Sequence, residues 1–248
     1  MKIIALANQK GGVAKSTSTY NLAFLKAQQN KRVLMIDLDQ QASLTILCGI
    51  MPGKTEYSVC DLMTGADPYD CGYPVEKSGL DNLYLIPSDI VLAETEQNLI
   101  SKMSREKILK KQLSKFADDF DFIFIDCPPQ LSLLTTNALV AATDVIVPTK
   151  AEYLSYRGLR ALSNTICAIQ DDLNPDLEFD GYIVTMFEKT INDQKDLLAQ
   201  IEKDGPVLGV VKKSADTYRD VLDGLPVVAA NPKCDVSKAY INICNKIK

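Results

Sequence analysis

Short apolar runs alternate with longer segments of helical period along most of the chain. The runs are continuously apolar, which is typical of strands that are buried on both faces of a parallel sheet. They predict strands near residues 2–7, 32–36, 83–86, 122–125, 144–147, 182–185 and 207–211. The segments between them predict helices near residues 16–29, 43–48, 57–64, 89–100, 104–117, 132–142, 155–171, 192–204, 214–222 and 235–247.

The alternation of strand and helix predicts an α/β fold. We expect a largely parallel, twisted β-sheet with helices on both faces, because each strand–helix–strand unit crosses over with the same hand. The chain has 248 residues, a length that one α/β domain can fill, so residues 1–248 are interpreted as a single domain. Ligands of such folds bind beyond the carboxyl ends of the strands.

The amino-acid composition limits the kinds of catalytic and metal site that the chain can form. The chain has no histidine, which excludes catalytic triads, imidazole bases and histidine-ligated zinc. Seven cysteines form no CxxC pair, and those in apolar runs, such as Cys127 and Cys167, are expected to be reduced core residues. No run approaches the roughly 18 apolar residues of a membrane span. We therefore expect a soluble cytoplasmic protein.

A loop rich in small residues, NQKGGVAKST, follows the first predicted strand and opens a helix. Backbone N–H groups in such a loop can surround phosphate oxygens, and the helix offers its positive end. Lys15 would neutralise the outer phosphates, and the Ser16 hydroxyl can ligate Mg²⁺. The predicted nucleotide-binding residues of the loop are Lys10, Gly11, Gly12, Val13, Ala14, Lys15, Ser16 and Thr17.

Carboxylates stand at the ends of two further strands. Asp37 and Asp39 end the second predicted strand, and Asp126 ends the fourth. Beside a phosphate loop, carboxylates at these positions can hold Mg²⁺ or orient water. Asp37 taken alone is also consistent with a helix cap.

The loop and four further segments, in this order and at this spacing, resemble the ParA-type partition ATPases of the deviant-Walker-A class, which also contains the MinD proteins. The further segments are RVLMIDLDQQAS, DFIFIDCPPQLSLLTTNAL, VPTKAEYLSYRGL and GYIVTMF. The resemblance covers nearly the whole chain and is to the short branch without an N-terminal helix-turn-helix. It implies a P-loop NTPase fold and a slow ATPase, with ATP and Mg²⁺ as cofactors, that a ParB-like centromere-binding partner stimulates.

The resemblance also implies roles for individual residues. Asp126 matches the Walker B carboxylate, and Asp39 matches the aspartate that positions the attacking water, so the implied Mg²⁺ set is Ser16, Asp39 and Asp126. Lys10, Lys15 and Asp39 are the implied catalytic residues. Lys10 matches the lysine that crosses to the partner subunit's phosphates, which implies an ATP-dependent homodimer, although its spacing alone fits a solvated surface residue equally well.

Ala14 departs from the family pattern, because most relatives have glycine there. A left-handed backbone would cost alanine on the order of 1 kcal/mol. We expect a negative φ, at which alanine costs almost nothing.

The resemblance places adenine contacts at Met186, Phe187, Val211 and Lys212. It also implies that the ATP dimer binds double-stranded DNA without sequence preference, on the nucleoid. From Lys189 onward the chain has ten basic and eight acidic residues, although the net charge of the whole chain is −5. Within this segment the preferred contacts for DNA phosphates are Lys212, Lys213 and Arg219. A second basic run, from Lys102 to Lys115, has helical spacing and is interpreted as a solvated helix face.

Two other functions remain open at this stage. A MinD-like positioning ATPase on membranes needs an amphipathic C-terminal helix, but the tail DVSKAYINICNKIK has few large apolar residues, so we expect no membrane partner. A metabolic enzyme is the other alternative, either a phosphate-loop ligase or an iron–sulfur reductase, and the reductase would need cysteines that face each other across a dimer axis.

Overall fold

The computed structural model describes residues 1–214 and 224–247 of the chain. Its centre is an eight-stranded sheet in the order β3-β4-β2-β5-β1-β6-β7-β8, in which every neighbouring pair is parallel except β3 and β4. The strands are β1 Lys2–Leu6, β2 Val33–Asp37, β3 Tyr73–Pro74, β4 Leu83–Ile86, β5 Phe122–Asp126, β6 Asp144–Lys150, β7 Glu178–Phe187 and β8 Val207–Lys212. The predicted α/β fold with a largely parallel sheet is confirmed.

Helices connect the strands and cover both faces of the sheet. Within the described residues they are α1 Lys15–Gln28, α2 Ser43–Leu47, α3 Val59–Thr64, α4 Pro68–Cys71, α5 Leu92–Leu99, α6 Ile108–Leu113, α7 Leu133–Ala141, α8 Tyr153–Asp172, α9 Asn192–Asp204, α10 Val227–Ala230 and α11 Asp235–Lys246. Short 3₁₀ helices span Glu76–Ser78, Arg105–Lys107 and Ser114–Phe116. No helix in the described part of the chain is both long and apolar enough to cross a bilayer.

Two hydrophobic clusters lie on opposite faces of the sheet, and β1 contributes to both. Ile3 and Ala5 pack into the cluster that includes residues of α3, α6, α7 and α8. Ile4 and Leu6 pack into the other, with residues of α1, α2 and α11. Successive side chains of a strand point to opposite faces, so a strand covered by helices on both sides is apolar at every position. This is why the continuous apolar runs predicted the strands well.

Several sequence-based predictions need correction. The helix predicted over residues 104–117 is divided, because a 3₁₀ turn at each end leaves only Ile108–Leu113 as α-helix. Cys167 was expected in the core, but it lies on the solvent-exposed side of α8, whereas Cys127 is buried as expected. The helix predicted at 214–222 falls almost entirely outside the described residues.

Candidate nucleotide site

The phosphate loop joins β1, in the middle of the sheet, to α1, and neighbouring strands hold it in place. Asn8 is buried; its Nδ2 donates to the carbonyl of Pro148 at 2.7 Å, and its Oδ1 accepts from the backbone N–H of Lys10 at 3.0 Å. At the other end of the loop, Thr185 Oγ1 donates to the carbonyl of Val13 at 3.1 Å. The loop backbone is therefore fixed by buried hydrogen bonds to β6 and β7 before any ligand binds.

Ala14 adopts the left-handed conformation, with φ 61° and ψ 37°, at the residue that precedes α1. The expectation of a negative φ was wrong. The left-handed turn lets the chain leave the loop and start the helix at Lys15, so the amino end of α1 opens toward the loop. Gly12 also has a positive φ, 68°. The position demands a conformation that alanine reaches only at a cost of roughly 1–2 kcal/mol.

Asp37 and Asp126 lie opposite each other in the paired strands β2 and β5. Asp37 is fully buried, and its carboxylate accepts hydrogen bonds from the Asp39 N–H at 3.1 Å, the Thr45 N–H at 2.9 Å and the Thr45 hydroxyl at 2.7 Å. Burial raises the pKa of Asp37 to about 6, although these hydrogen bonds oppose the rise. Asp37 therefore ties the start of α2 to the sheet, which agrees with its interpretation as a helix cap.

Asp126 has the opposite environment. It is fully buried, and neither carboxylate oxygen has a hydrogen-bond partner among the described residues. Burial and the charge of Asp37 raise the pKa of Asp126 well above its usual range, while the nearby Ser16 hydroxyl and Lys15 lower it. A buried carboxylate without a hydrogen-bond partner destabilises the fold unless a cation neutralises its charge. The donor set of Asp126, Ser16 and Asp39 is the hard oxygen set that Mg²⁺ prefers, so these residues fit the implied ion.

A cavity of about 530 Å³ lies in front of the loop. Its lining includes Gly11, Gly12, Lys15, Ser16 and Asp39. Asp39 is mostly buried, and its Oδ1 accepts from the Gln41 N–H at 3.0 Å, which fixes the carboxylate at the cavity wall. The structure thus brings Asp39 and all the predicted loop residues except Lys10 and Val13 to one cavity at the carboxyl ends of β1, β2 and β5, whereas Asp126 does not line it.

A second cavity, of about 230 Å³, adjoins the first and shares Ala14, Thr17 and Met186 with it. Val211 and Lys212 also line this second cavity. Three of the four predicted adenine contacts therefore lie at one pocket beside the loop. The side chain of Phe187 does not: it is buried in the core, 5% exposed.

Lys10 is held within its own subunit. Its Nζ donates to Glu152 Oε2 at 2.7 Å and to Ser155 Oγ at 3.0 Å, both near the start of α8. The hydrogen bond from Lys10 lowers the pKa of Glu152. Lys10 is therefore a partly exposed residue with a defined ion-pair partner, and its side chain does not line the nucleotide cavity.

Two of the three predicted DNA contacts form ion pairs in this structure. Lys212 Nζ lies 2.6 Å from Asp235 Oδ2, and Lys213 Nζ lies 3.0 Å from Glu188 Oε1. The third, Arg219, lies outside the described residues.

Sequence reasoning missed the residues that support the site. Asn8 and Glu152 were not singled out, and Thr185 was noted only for its position at the end of a strand. Asn8 carried a usable signal, since a polar residue directly after a buried strand and before a phosphate loop needs a partner. Glu152 carried none, because its contact with Lys10 joins residues 142 positions apart.

Comparisons with known proteins agree with this geometry. A family model described as an AAA domain matches residues 1–179. The sporulation initiation inhibitor protein Soj of Bacillus subtilis is 34% identical over 99% of this chain and 98% of its own. A putative plasmid partition protein of Borrelia burgdorferi bound to AMPPNP superposes with a TM-score of 0.82 at 29% identity, covering 99% of this chain and 98% of its own. Cobyrinic acid a,c-diamide synthase of Mycobacterium smegmatis with bound ADP and magnesium superposes with a TM-score of 0.84 at 32% identity, covering 98% and 92%.

Proposed function

This chain belongs to the ParA-type family of partition ATPases, and we propose that it is an ATP-dependent dimer that binds DNA and segregates a replicon. In the proposed cycle the protein binds ATP with Mg²⁺, dimerises and associates non-specifically with nucleoid DNA. A ParB-like partner then stimulates slow hydrolysis, and the DNA is released. Hydrolysis thereby makes DNA association temporary, which is what positioning a cargo requires.

The observation that carries this proposal is the pairing of an anchored phosphate loop with the unpartnered carboxylate of Asp126. The loop offers Lys15 and the amino end of α1 to phosphate oxygens. Asp126 offers two buried oxygens with no partner among the described residues. One anionic group and one cation placed between them would satisfy both sides at once, and a nucleoside triphosphate with Mg²⁺ supplies that combination.

The positions of the side chains support the proposed catalytic roles. Lys15 would neutralise the outer phosphates, and Ser16 with Asp126 and Asp39 would hold Mg²⁺, which supplies charge neutralisation when bound. Asp39, fixed by the Gln41 N–H at the cavity wall, would orient the water that attacks the terminal phosphate. Such a site needs no histidine, and the chain has none.

Dimerisation would engage Lys10. In the proposed ATP dimer this lysine leaves Glu152 and reaches the phosphates of the other subunit. Exchanging a carboxylate partner for triphosphate oxygens preserves a charge-assisted hydrogen bond, so the exchange is favourable only when nucleotide is present. Association is therefore conditional on ATP.

The test is a titration of DNA binding with ATP, with ADP and without nucleotide, each across a salt series. We expect tight binding with ATP only, and a steep loss of affinity with salt, because phosphate contacts release counterions. Equal binding in all three nucleotide states would overturn the proposal. Anionic vesicles in a parallel series test the MinD-like alternative, which predicts ATP-dependent co-sedimentation with vesicles instead.

The similarity to a diamide synthase supports a second candidate, an ATP-dependent ligase. A ligase would hydrolyse ATP only with a carboxylic acid acceptor and a nitrogen donor, and DNA would have no effect on its turnover. Measuring phosphate release with DNA and with cobyrinic acid plus glutamine separates the two functions.

A further inference from the structure

We propose that a lysine-lined cleft between α3 and α6 is a second contact for the DNA phosphate backbone, separate from the C-terminal lysines Lys212 and Lys213. This inference rests on the proposed function. The cleft has a volume of about 250 Å³, and three of its lining residues are lysines: Lys102, Lys111 and Lys115. The remaining lining residues, which include Met63, Met103 and Gln112, carry no charge.

The positive charge of this cleft is uncompensated. No acidic residue lines it, and within residues 1–214 and 224–247 none of the three lysines forms an ion pair. Elsewhere on the surface, by contrast, Lys212 and Lys213 are paired with carboxylates at 2.6 and 3.0 Å. A polyanion can enter the cleft without displacing an internal partner, whereas it must break an ion pair to reach either C-terminal lysine.

The local fold explains why these three lysines converge. Lys111 and Lys115 are four positions apart, at the end of α6 and in the 3₁₀ turn that continues it, so they lie on the same side. Lys102 comes from the segment that follows α5 and lines the cleft with them, next to Met103, which is 95% exposed. Lys107 and Lys110 belong to the same basic run and are also exposed, but neither lines the cleft.

The hydrogen-bonding groups of the cleft also favour an anion. Gln112 Nε2 already donates to the Leu62 carbonyl at 2.8 Å, and the Gly65 N–H donates to the Asp61 carbonyl at 3.0 Å. The remaining strong donors are the three ammonium groups, which bind phosphate as point charges and read no base sequence. That property matches binding without sequence preference.

The cleft and the C-terminal lysines lie in different parts of the fold, since Lys212 ends β8 at one edge of the sheet. α3 and α6 pack on the face that carries Ala5, while α11, whose Asp235 pairs with Lys212, packs on the face that carries Ile4. The two contacts therefore do not compete for the same phosphates.

The experiment compares two matched double variants in ATP-dependent binding to a DNA duplex. Lys111→Gln with Lys115→Gln removes two cleft charges, and Lys107→Gln with Lys110→Gln removes two charges from the same run outside the cleft. We expect the cleft variant to reduce the slope of log affinity against log salt by roughly 0.9 for each lysine removed, counted once for every cleft that contacts the DNA. The control variant should change this slope by much less. Melting temperature and ATP affinity should stay at wild-type values in both variants, since all four side chains are exposed.

Equal slopes for the two variants would overturn the inference while leaving the proposed function intact, provided that the wild type binds DNA with ATP. A wild type that fails to bind DNA would overturn both. Loss of binding to phosphatidylglycerol vesicles in the cleft variant, with DNA binding unchanged, would also overturn the inference and assign the cleft to a membrane surface.

Discussion

At the scale of single residues, the neighbouring carboxylates of Asp37 and Asp126 differ in their hydrogen-bond partners and therefore in their roles. Both are fully buried and end paired strands. Three hydrogen bonds satisfy Asp37, so it fastens α2 to the sheet. Asp126 has none within the described residues, so its charge becomes favourable only when a cation arrives. Burial is common to both, and the hydrogen-bond partners distinguish their roles.

Asp39→Ala tests the role of the third carboxylate. We expect ATP affinity and ATP-dependent dimerisation to be retained, because Lys15, Ser16 and Asp126 remain in place. Hydrolysis should fall by about 100-fold or more, since the attacking water loses its orienting acceptor. Phosphate release and fluorescent-nucleotide binding measure the two effects separately, and unchanged turnover would remove Asp39 from the mechanism.

Ala14→Gly tests the left-handed turn at the start of α1. Glycine reaches φ 61° without the steric cost that alanine has, and this gain exceeds the entropy that glycine adds to the unfolded chain. We expect the free energy of unfolding to rise by roughly 0.5–1 kcal/mol in urea titrations without nucleotide. The matched control is Ala161→Gly, on the exposed side of α8, which should lower it by about 1 kcal/mol. Destabilisation by both variants would contradict the account.

At the scale of elements, the strands and the phosphate loop were predictable from sequence, and their surroundings were not. Strands buried on both faces are continuous apolar runs, and the loop combines glycines with a lysine and a serine at fixed spacing. The two-residue β3 and the four-residue α4 are too short to show any periodicity. Contacts such as that of Lys10 with Glu152 depend on packing between distant segments, which no local pattern encodes.

The segment from 104 to 117 shows a different limit. Its hydrophobic spacing predicted one helix, but Ser104 has a left-handed φ of 53°, and 3₁₀ turns form on both sides of α6. Asn137 of α7 contributes to this arrangement, since its side chain accepts from the Leu109 N–H at 3.1 Å and donates to the Arg105 carbonyl at 2.8 Å. A tertiary contact thus stabilises the break that periodicity alone could not reveal.

The amino ends of β6 and β7 predict a pH dependence of stability. Asp180 lies beside Asp144, and Lys2 is 2.9 Å from Asp144 and 3.8 Å from Asp180. Burial, and then the charge of Asp144, raise the pKa of Asp180 from 3.8 to about 6. The folded state therefore binds a proton more tightly than the unfolded chain does, so the contribution of this group to stability falls as pH rises from about 4 to 6.

In urea titrations that contain a metal chelator, the free energy of unfolding of Asp180→Asn should therefore rise relative to that of wild type as pH rises from about 4 to 6. Asp121→Asn is the control of opposite sign, because the Arg32 N–H lowers the pKa of Asp121, and its contribution is lost as pH falls. A stability difference between Asp180→Asn and wild type that stays constant from pH 4 to 7 would show that the fold does not shift the pKa of Asp180.

At the scale of the whole molecule, Lys212 and Lys213 lie beside the nucleotide site, whereas the α3–α6 cleft lies in a different region. The site lies at the carboxyl ends of central strands, and Lys10 of its loop contacts Glu152 next to α8. Lys212 and Lys213 lie at the end of the edge strand β8, and the α3–α6 cleft lies on helices that cover one face of the sheet. In the proposed ATP dimer both basic surfaces would be doubled, so association with DNA would follow from association of the subunits.

Lys10→Ala is the variant that isolates this coupling. Only an exposed ion pair with Glu152 and a hydrogen bond with Ser155 are lost in the monomer, so the fold should persist and its melting temperature should change little. The variant should bind ATP but remain monomeric with it, as measured by size-exclusion chromatography with light scattering. An ATP-dependent dimer of Lys10→Ala would remove this lysine from the interface.

The most direct test is the mass of the Asp39→Ala protein in solution with ATP and Mg²⁺, with ADP and Mg²⁺, and without nucleotide, because slow hydrolysis in this variant preserves the ATP state. The account predicts a mass of about twice the 27.3 kDa chain with ATP alone, and a monomer in the other two conditions. A monomer in all three conditions, or a dimer that forms equally well without nucleotide, would contradict it.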